Sequence, residues 1–179
     1  MPRKIIVYIA TSADGYIARR DGDFSWLDRP PVKGDYGMAK FYKRVDTAIM
    51  GRKTYDIGVR MGQPGYPGKH NFVFSRKARK SDVANVEFVN EDVTSFARRV
   101  RKMRGKHIWL VGGGSIIAAF LDAQLIDEFI IHVIPLFIGE GIPLIHPRHR
   151  NVPLKLVKIR SYRDGVVRLH YRVSSVDKD

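Results

Sequence analysis

Six short apolar runs, rich in β-branched residues, punctuate the chain at 5–10, 47–50, 71–74, 86–89, 108–111 and 128–134. Most lack the polar–apolar alternation of a half-exposed strand. Their continuous apolarity predicts strands buried on both faces, as in a parallel sheet covered by helices. Between the runs the spacing becomes helical. After Asp92, a residue suited to an N-cap, Val93, Phe96, Ala97, Val100 and Met103 form one stripe. Arg98, Arg99, Arg101, Lys102 and Arg104 fill the opposite face, and Gly105 supplies the stop. Residues 37–45 place Met38, Phe41, Tyr42 and Val45 inward, and a third helix starts at Ser115 with Ile116, Ile117, Ala119, Phe120 and Leu121. Near the C-terminus, 155–161 and 166–173 alternate around Tyr162-Arg163-Asp164-Gly165, whose Asp-Gly pair signals a hairpin. The stretches 58–68 and 146–153 read as long loops. The expected architecture is α/β: a single domain over 1–179, with a mostly parallel central sheet flanked by helices and an antiparallel C-terminal hairpin.

Composition narrows the function. Apolar residues make up 44% and charged residues 28%, which excludes intrinsic disorder. Lys and Arg number 32 against 18 Asp and Glu, a net charge of +14 that favours an anionic ligand or partner. The absence of cysteine excludes a disulfide framework, a thiolate nucleophile, Cys-ligated zinc and an iron–sulfur cluster. The first apolar run is cut by Thr11, Ser12 and Asp14, so it reads as a strand and not as a signal-peptide core. No apolar run approaches the roughly 18 residues that span a bilayer, and the longest candidate, 129–138, contains His132 and Pro135. A soluble, cytoplasmic protein without a membrane partner is expected.

Three strand ends carry the candidate chemistry. Ile108-Trp109-Leu110-Val111 runs into Gly112-Gly113-Gly114-Ser115 and then a helix, an arrangement that presents free amides and a positive dipole end to a phosphate. Ile117 stands where a Rossmann fingerprint needs its third glycine. Ile49-Met50 leads to Gly51-Arg52-Lys53-Thr54, which lacks the glycine spacing of a P-loop but places two cations and a hydroxyl at a turn. Phe72-Val73-Phe74 ends in Ser75 and Arg76. Ligands of open α/β sheets bind at the carboxyl ends of strands, so the three ends together point to one long ligand with several phosphates. His146 and His149 lie in a loop without a third ligand, and no metal site is expected.

In order along the chain stand Ala10, Asp14-Gly15-Tyr16-Ile17-Ala18, Ile49-Met50-Gly51-Arg52-Lys53-Thr54-Tyr55, Val73-Phe74-Ser75-Arg76, Val111-Gly112-Gly113-Gly114-Ser115, Asp127-Glu128 and Pro135-Leu136-Phe137-Ile138-Gly139-Glu140-Gly141. This set resembles the dihydrofolate reductase-like fold, and more closely the reductase domain of the bifunctional riboflavin-biosynthesis deaminase/reductase in its stand-alone form. The resemblance implies an NADPH site. Gly51, Arg52, Lys53, Thr54, Ser75 and Arg76 would hold the adenosine half and its 2′-phosphate, Gly112, Gly113, Gly114 and Ser115 the pyrophosphate, and Ala10, Ile17 and Val111 the nicotinamide. It also implies a cis peptide at Gly112–Gly113, a homodimer, and a carboxylate near the first helix that engages the substrate ring. Asp35 is the candidate for that catalytic carboxylate, with a helix N-cap as its other reading. Asp14 and Trp26 are candidates for the substrate side. Asp14 is read first as ordering its own loop, and Trp26 either stacks on a heterocycle or fills core. The deaminase domain has no counterpart, and Thr54 is followed by Tyr55-Asp56-Ile57-Gly58 in place of the family's Asp-rich continuation.

The resulting expectation is an NADPH-dependent reductase of a dihydropterin or aminopyrimidine, with a 5-amino-6-(5-phosphoribosylamino)uracil-like compound among the candidates. Two rivals stand beside it: a basic nucleic-acid-binding protein, suggested by the cations of 76–80 and 98–106, and an NADPH-binding protein without turnover. No recognition signature accompanies the basic residues, so nucleic acid is not the expected partner.

Overall fold

The computed structural model of the chain describes residues 2–29, 34–77 and 79–174. Eight strands form the main sheet: β1 (Ile5–Ser12), β3 (Val45–Gly51), β4 (His70–Phe74), β5 (Val86–Val89), β6 (His107–Gly112), β7 (Glu128–Ile134), β9 (Leu154–Ser161) and β10 (Val167–Val173). Their order is β5-β4-β3-β6-β1-β7-β10-β9. All pairings from β5 to β7 are parallel, and β10 joins β7 and β9 antiparallel, as the sequence predicts. A separate two-stranded ribbon pairs β2 (Tyr16–Ala18) with β8 (Ile142–Pro143).

Period-two alternation sorts the strand residues onto two faces. Ile5 and Val7 face a core that includes Phe96, Phe120 and Ile117, while Ile6 faces Phe41, Trp109 and Ile130. The first core is closed by α3 (Val93–Lys102) and α4 (Gly114–Asp122), whose apolar stripes the sequence anticipates. Asp92 caps α3, accepting from the Thr94 and Ser95 amides at 3.0 and 2.9 Å.

Two helices depart from the sequence reading. The helix expected over 37–45 is α1 (Met38–Tyr42): Gly37 has φ +91°, and Val45 already belongs to β3. The segment read as a turn and the start of a loop is instead α2 (Arg52–Arg60). Gly58 hides this helix, yet glycine is required there because a Cβ would lie 2.7 Å from the Gln63 carbonyl oxygen.

Buried charge ties the amino-terminal edge of the sheet together. Arg3, 6% exposed, donates to the Lys106 and Val100 carbonyls, to Thr47 Oγ1 and to Asp46. Glu128, 4% exposed, accepts from Lys4 Nζ at 2.5 Å and faces His170 Nε2 at 2.9 Å. Burial pushes the Glu128 carboxyl up, but the Lys4 and His170 contacts outweigh it and hold the group below the ordinary glutamate value of 4.5. A carboxyl whose folded pKa is depressed stabilises the fold above its unfolded pKa, and that contribution is lost as pH falls through the folded value. Acid titration followed by circular dichroism is expected to show stability declining below about pH 4.5. Glu128→Gln should lower stability at neutral pH by about 1–3 kcal/mol and flatten the acid slope. An unchanged slope would remove Glu128 from the account.

Candidate active site

Because β1, β3, β4 and β6 run parallel, their carboxyl ends share one edge of the sheet, and there the chain opens a groove of about 1390 Å³. Three of those ends feed it directly. β3 ends at Gly51 and passes straight into α2, β4 ends at Phe74 before Ser75 and Arg76, and β6 ends at Gly112 before α4. All thirteen residues expected to hold the cofactor line this groove: Ala10, Ile17, Gly51, Arg52, Lys53, Thr54, Ser75, Arg76, Val111, Gly112, Gly113, Gly114 and Ser115.

The backbone at the rim suits an anion. Gly51 and Gly113 are the N-caps of α2 and α4, and neither helix start receives a side-chain cap. First-turn amides there have no intrahelical acceptor and sit at the positive end of the helix dipole. The glycines also leave room for a ligand: a Cβ at Gly51 would find nothing nearer than 3.8 Å, and one at Gly113 nothing nearer than 3.6 Å. The Gly112–Gly113 peptide is cis, with Gly112 at φ +135°. Gly114 has another cause. A Cβ there would lie 2.4 Å from the Pro143 carbonyl oxygen, so its bareness serves the packing of β8 against α4.

Arg20, Arg52, Lys53, Arg76 and Lys77 give the groove its charge. Asp56, one turn further along α2, holds the Nε edge of Arg52 at 2.8 Å. Glu91 also lines the groove, but Arg99 engages it at 2.6 Å and offsets its charge.

The three remaining site candidates lie elsewhere. Asp35 is exposed, and its carboxylate accepts the Gly37 and Ala39 amides at 2.9 and 2.5 Å; it orders the turn into α1, whose N-cap is Gly37 and not Asp35 as its second reading had it. These bonds hold its pKa below the ordinary value. Asp14 accepts from the Gly139 amide at 2.7 Å and so ties the β1–β2 turn to the loop after β7. Trp26 sits in a single 3-10 turn, Ser25–Leu27, with its indole N–H buried and unpartnered among the described residues. Its neighbours Phe24 and Leu27 line the groove instead. Sequence reasoning also missed His146, which it left in a solvent loop. The His146 amide donates to the Gly114 carbonyl at 3.2 Å, and this brings the residue to the groove wall. The nearest sequence signal was Pro143, whose approach explains the third glycine.

The RibD C-terminal domain family matches residues 3–168. The YwjB protein of Bacillus subtilis (strain 168), described as uncharacterised, is 39% identical over 173 residues, covering 96% of this chain and 98% of its own. A crystal structure from Shewanella sp. PV-4, provisionally described as a riboflavin biosynthesis protein, superposes with a TM-score of 0.85 at 28% identity, covering 97% of this chain and 99% of that one. A Thermotoga maritima diaminohydroxyphosphoribosylaminopyrimidine deaminase/5-amino-6-(5-phosphoribosylamino)uracil reductase shares the fold, with a TM-score of 0.73 at 17% identity. This chain is covered to 97% in that superposition and spans 57% of the Thermotoga protein.

Proposed function

Because the chain belongs to the RibD C-terminal domain family, we propose that it is an NADPH-dependent reductase of a small heterocyclic substrate, working in the cytoplasm. The observation that carries this reading is the meeting of three glycine-bearing or cationic strand ends in one groove. Arg52, Lys53, Thr54, Ser75 and Arg76 would hold the adenosine half, with the two guanidiniums gripping a 2′-phosphate. The amides of 113–115 would hold the pyrophosphate, and Ala10, Ile17 and Val111 would face the nicotinamide. NADPH when bound supplies a hydride. The chain's part is to fix the substrate beside Ala10 and to exclude water with Phe24, Leu27 and Met50. Among the described residues no carboxylate lines the groove except Glu91, which Arg99 engages, so this reading draws the proton from ordered water.

The reading is tested by following NADPH oxidation across a panel of oxo-pyrimidines and dihydropterins. Turnover with any of them supports it. Tight NADPH binding with none oxidised favours a binding protein without turnover. The nucleic-acid reading has less behind it, since Arg99 and Arg101 on α3 are engaged by Glu91 and Asp127.

We also propose a homodimer through β9. This edge strand is exposed along all eight residues, and it carries Leu154, Leu156, Val157 and Ile159 at 43–60% exposure. A bulge explains the pattern. His170 pairs with Lys158 and Tyr171 with Leu156, leaving Val157 as an extra residue. The inserted residue re-phases the alternation, so the four apolar side chains gather on one face and Lys155, Lys158 and Arg160 on the other. An uncovered apolar edge of this length favours association. Light scattering is expected to report a dimer, and Ile159→Lys a monomer that binds NADPH as before. A monomeric wild-type protein would contradict the proposal.

A further inference from the structure

Along the sequence, positive charge concentrates at 76–80 and 98–106. Folding gathers a further concentration that neither run contains, on the C-terminal hairpin. Arg160 of β9 pairs with Arg168 of β10, Lys158 with His170 and, across the bulge, Lys155 with Arg172. Directly opposite residues project from the same face of a sheet, so two pairs set cation against cation and the pair between them sets lysine against histidine, all on one side. Steps of two residues along β10 space the pairs by about 7 Å, and the double row from Arg168 to Arg172 runs for about 13 Å.

This face continues the one that buries Ile6, Phe41 and Ile130, since His170 also pairs with Ile130 of β7. The Tyr36 carbonyl reaches the hairpin at Arg168 Nη1, and Tyr8, His132 and Tyr162 approach the same oxygen. Beyond that point Lys155, Lys158, Arg160 and Arg172 are exposed. The carboxylates bordering the row are already engaged: Glu128 by Lys4 and His170, Asp164 by Tyr36 and Arg29, and Asp35 by the Gly37 and Ala39 amides. Among the described residues no carboxylate pairs with Lys155, Lys158, Arg160, Arg168 or Arg172, and Arg160 lies instead over the Tyr162 ring, 5.0 Å from its centroid.

Like charges directly opposite in a sheet cost stability. Lysines on an edge strand protect it from aggregation, which accounts for β9. Protection does not account for β10, an inner strand paired on both sides, whose Arg168 and Arg172 double the row. A covering anion offsets the repulsion. The apolar residues of β9 lie on the opposite face, so the basic face lacks the apolar anchors that a protein partner or a membrane surface engages. It presents evenly spaced charge on a flat ribbon, with no helix or loop to enter the groove of a duplex. Two strands of a sheet lie only about 4.8 Å apart, a width that suits one phosphodiester backbone and not the two that border a groove.

We propose that the basic face of the β9–β10 hairpin docks the phosphodiester backbone of single-stranded RNA, the single-stranded polyanion of the cytoplasm, with the Arg160–Tyr162 pair offering a flat surface to a base at one end. None of the six basic side chains lines the coenzyme groove, so RNA and NADPH bind independently. The dimer proposed above covers the opposite face of β9 and leaves this one open.

The test is the fluorescence anisotropy of a short labelled oligouridylate titrated with the full chain. The expected Kd is about 10–100 µM at physiological salt, and log K should fall with log salt at a slope of about −3, as for four exposed cations on a single strand. Lys155→Glu with Arg160→Glu should weaken binding by about tenfold or more, leave NADPH affinity unchanged, and raise Tm, because each glutamate faces an arginine in place of a like charge. Arg98→Glu with Lys102→Glu on α3 makes the same change in net charge and should weaken binding by less than about threefold. Equal weakening by the two double variants would reduce the effect to net charge and overturn the proposal. So would an absence of binding, an unchanged or lowered Tm in the hairpin variant, or tighter binding of duplex RNA, phosphatidylserine vesicles or oligoglutamate than of the single strand.

Discussion

Replacing Arg52 and Arg76 together with methionine is expected to weaken NADPH binding by about 10²–10⁴-fold, because each charged hydrogen bond to a phosphate contributes roughly 1.5–3 kcal/mol. Both residues sit at strand ends that line the groove, and neither belongs to the apolar cores. Thermal stability should therefore change by no more than about 0.5 kcal/mol, the usual range for surface positions. NADH, which lacks the 2′-phosphate, should lose much less affinity than NADPH in the same variant. Fluorescence titration of both coenzymes against both proteins measures the difference. Equal losses for the two would place the guanidiniums on some other part of the ligand.

The glycine turn after β6 yields the second large effect, since its glycines serve different ends. Gly114→Val places a Cβ 2.4 Å from the Pro143 carbonyl oxygen, a backbone atom that moves only with β8, and adds two methyl groups beyond it. The expected loss is about 3 kcal/mol or more, at or above the upper end for overpacking, seen as a lowered urea midpoint. Gly113→Ala makes ordinary contacts, with Thr54 Oγ1 at 3.6 Å and Ile17 Cδ1 at 3.9 Å. It should fold normally and lose coenzyme affinity, because the new methyl group lies in the groove. A normally stable Gly114→Val protein would refute the close approach of β8.

The parallel strands were legible because burial on both faces leaves unbroken apolar runs, and α3 because its stripe, N-cap and terminal glycine agree. Short-range signals misled in two places. Gly58 within α2 answers to the Gln63 carbonyl and not to a turn, and the bulge at Val157 shifts the phase of a strand whose alternation looked regular. The groove itself was readable because its parts are glycines, hydroxyls and cations at strand ends, where position in the chain already implies position in space. The polar cluster around the Tyr36 carbonyl was not. Tyr8, Tyr36, His132 and Arg168 come from four distant segments, and only the pairing of β1 with β7 and of β7 with β10 assembles them. Asp35 stood out in the sequence because carboxylates are conspicuous, but its short side chain spends its oxygens on the Gly37 and Ala39 amides beside it.

Whether the groove takes a nicotinamide dinucleotide, and which one, is read from calorimetric titration of the purified protein with NADPH and, separately, with NADH. Saturable heat is expected with NADPH and at least a tenfold weaker response with NADH, a gap that closes in the protein lacking both guanidiniums. No heat with either coenzyme, or indifference between them, would contradict that expectation.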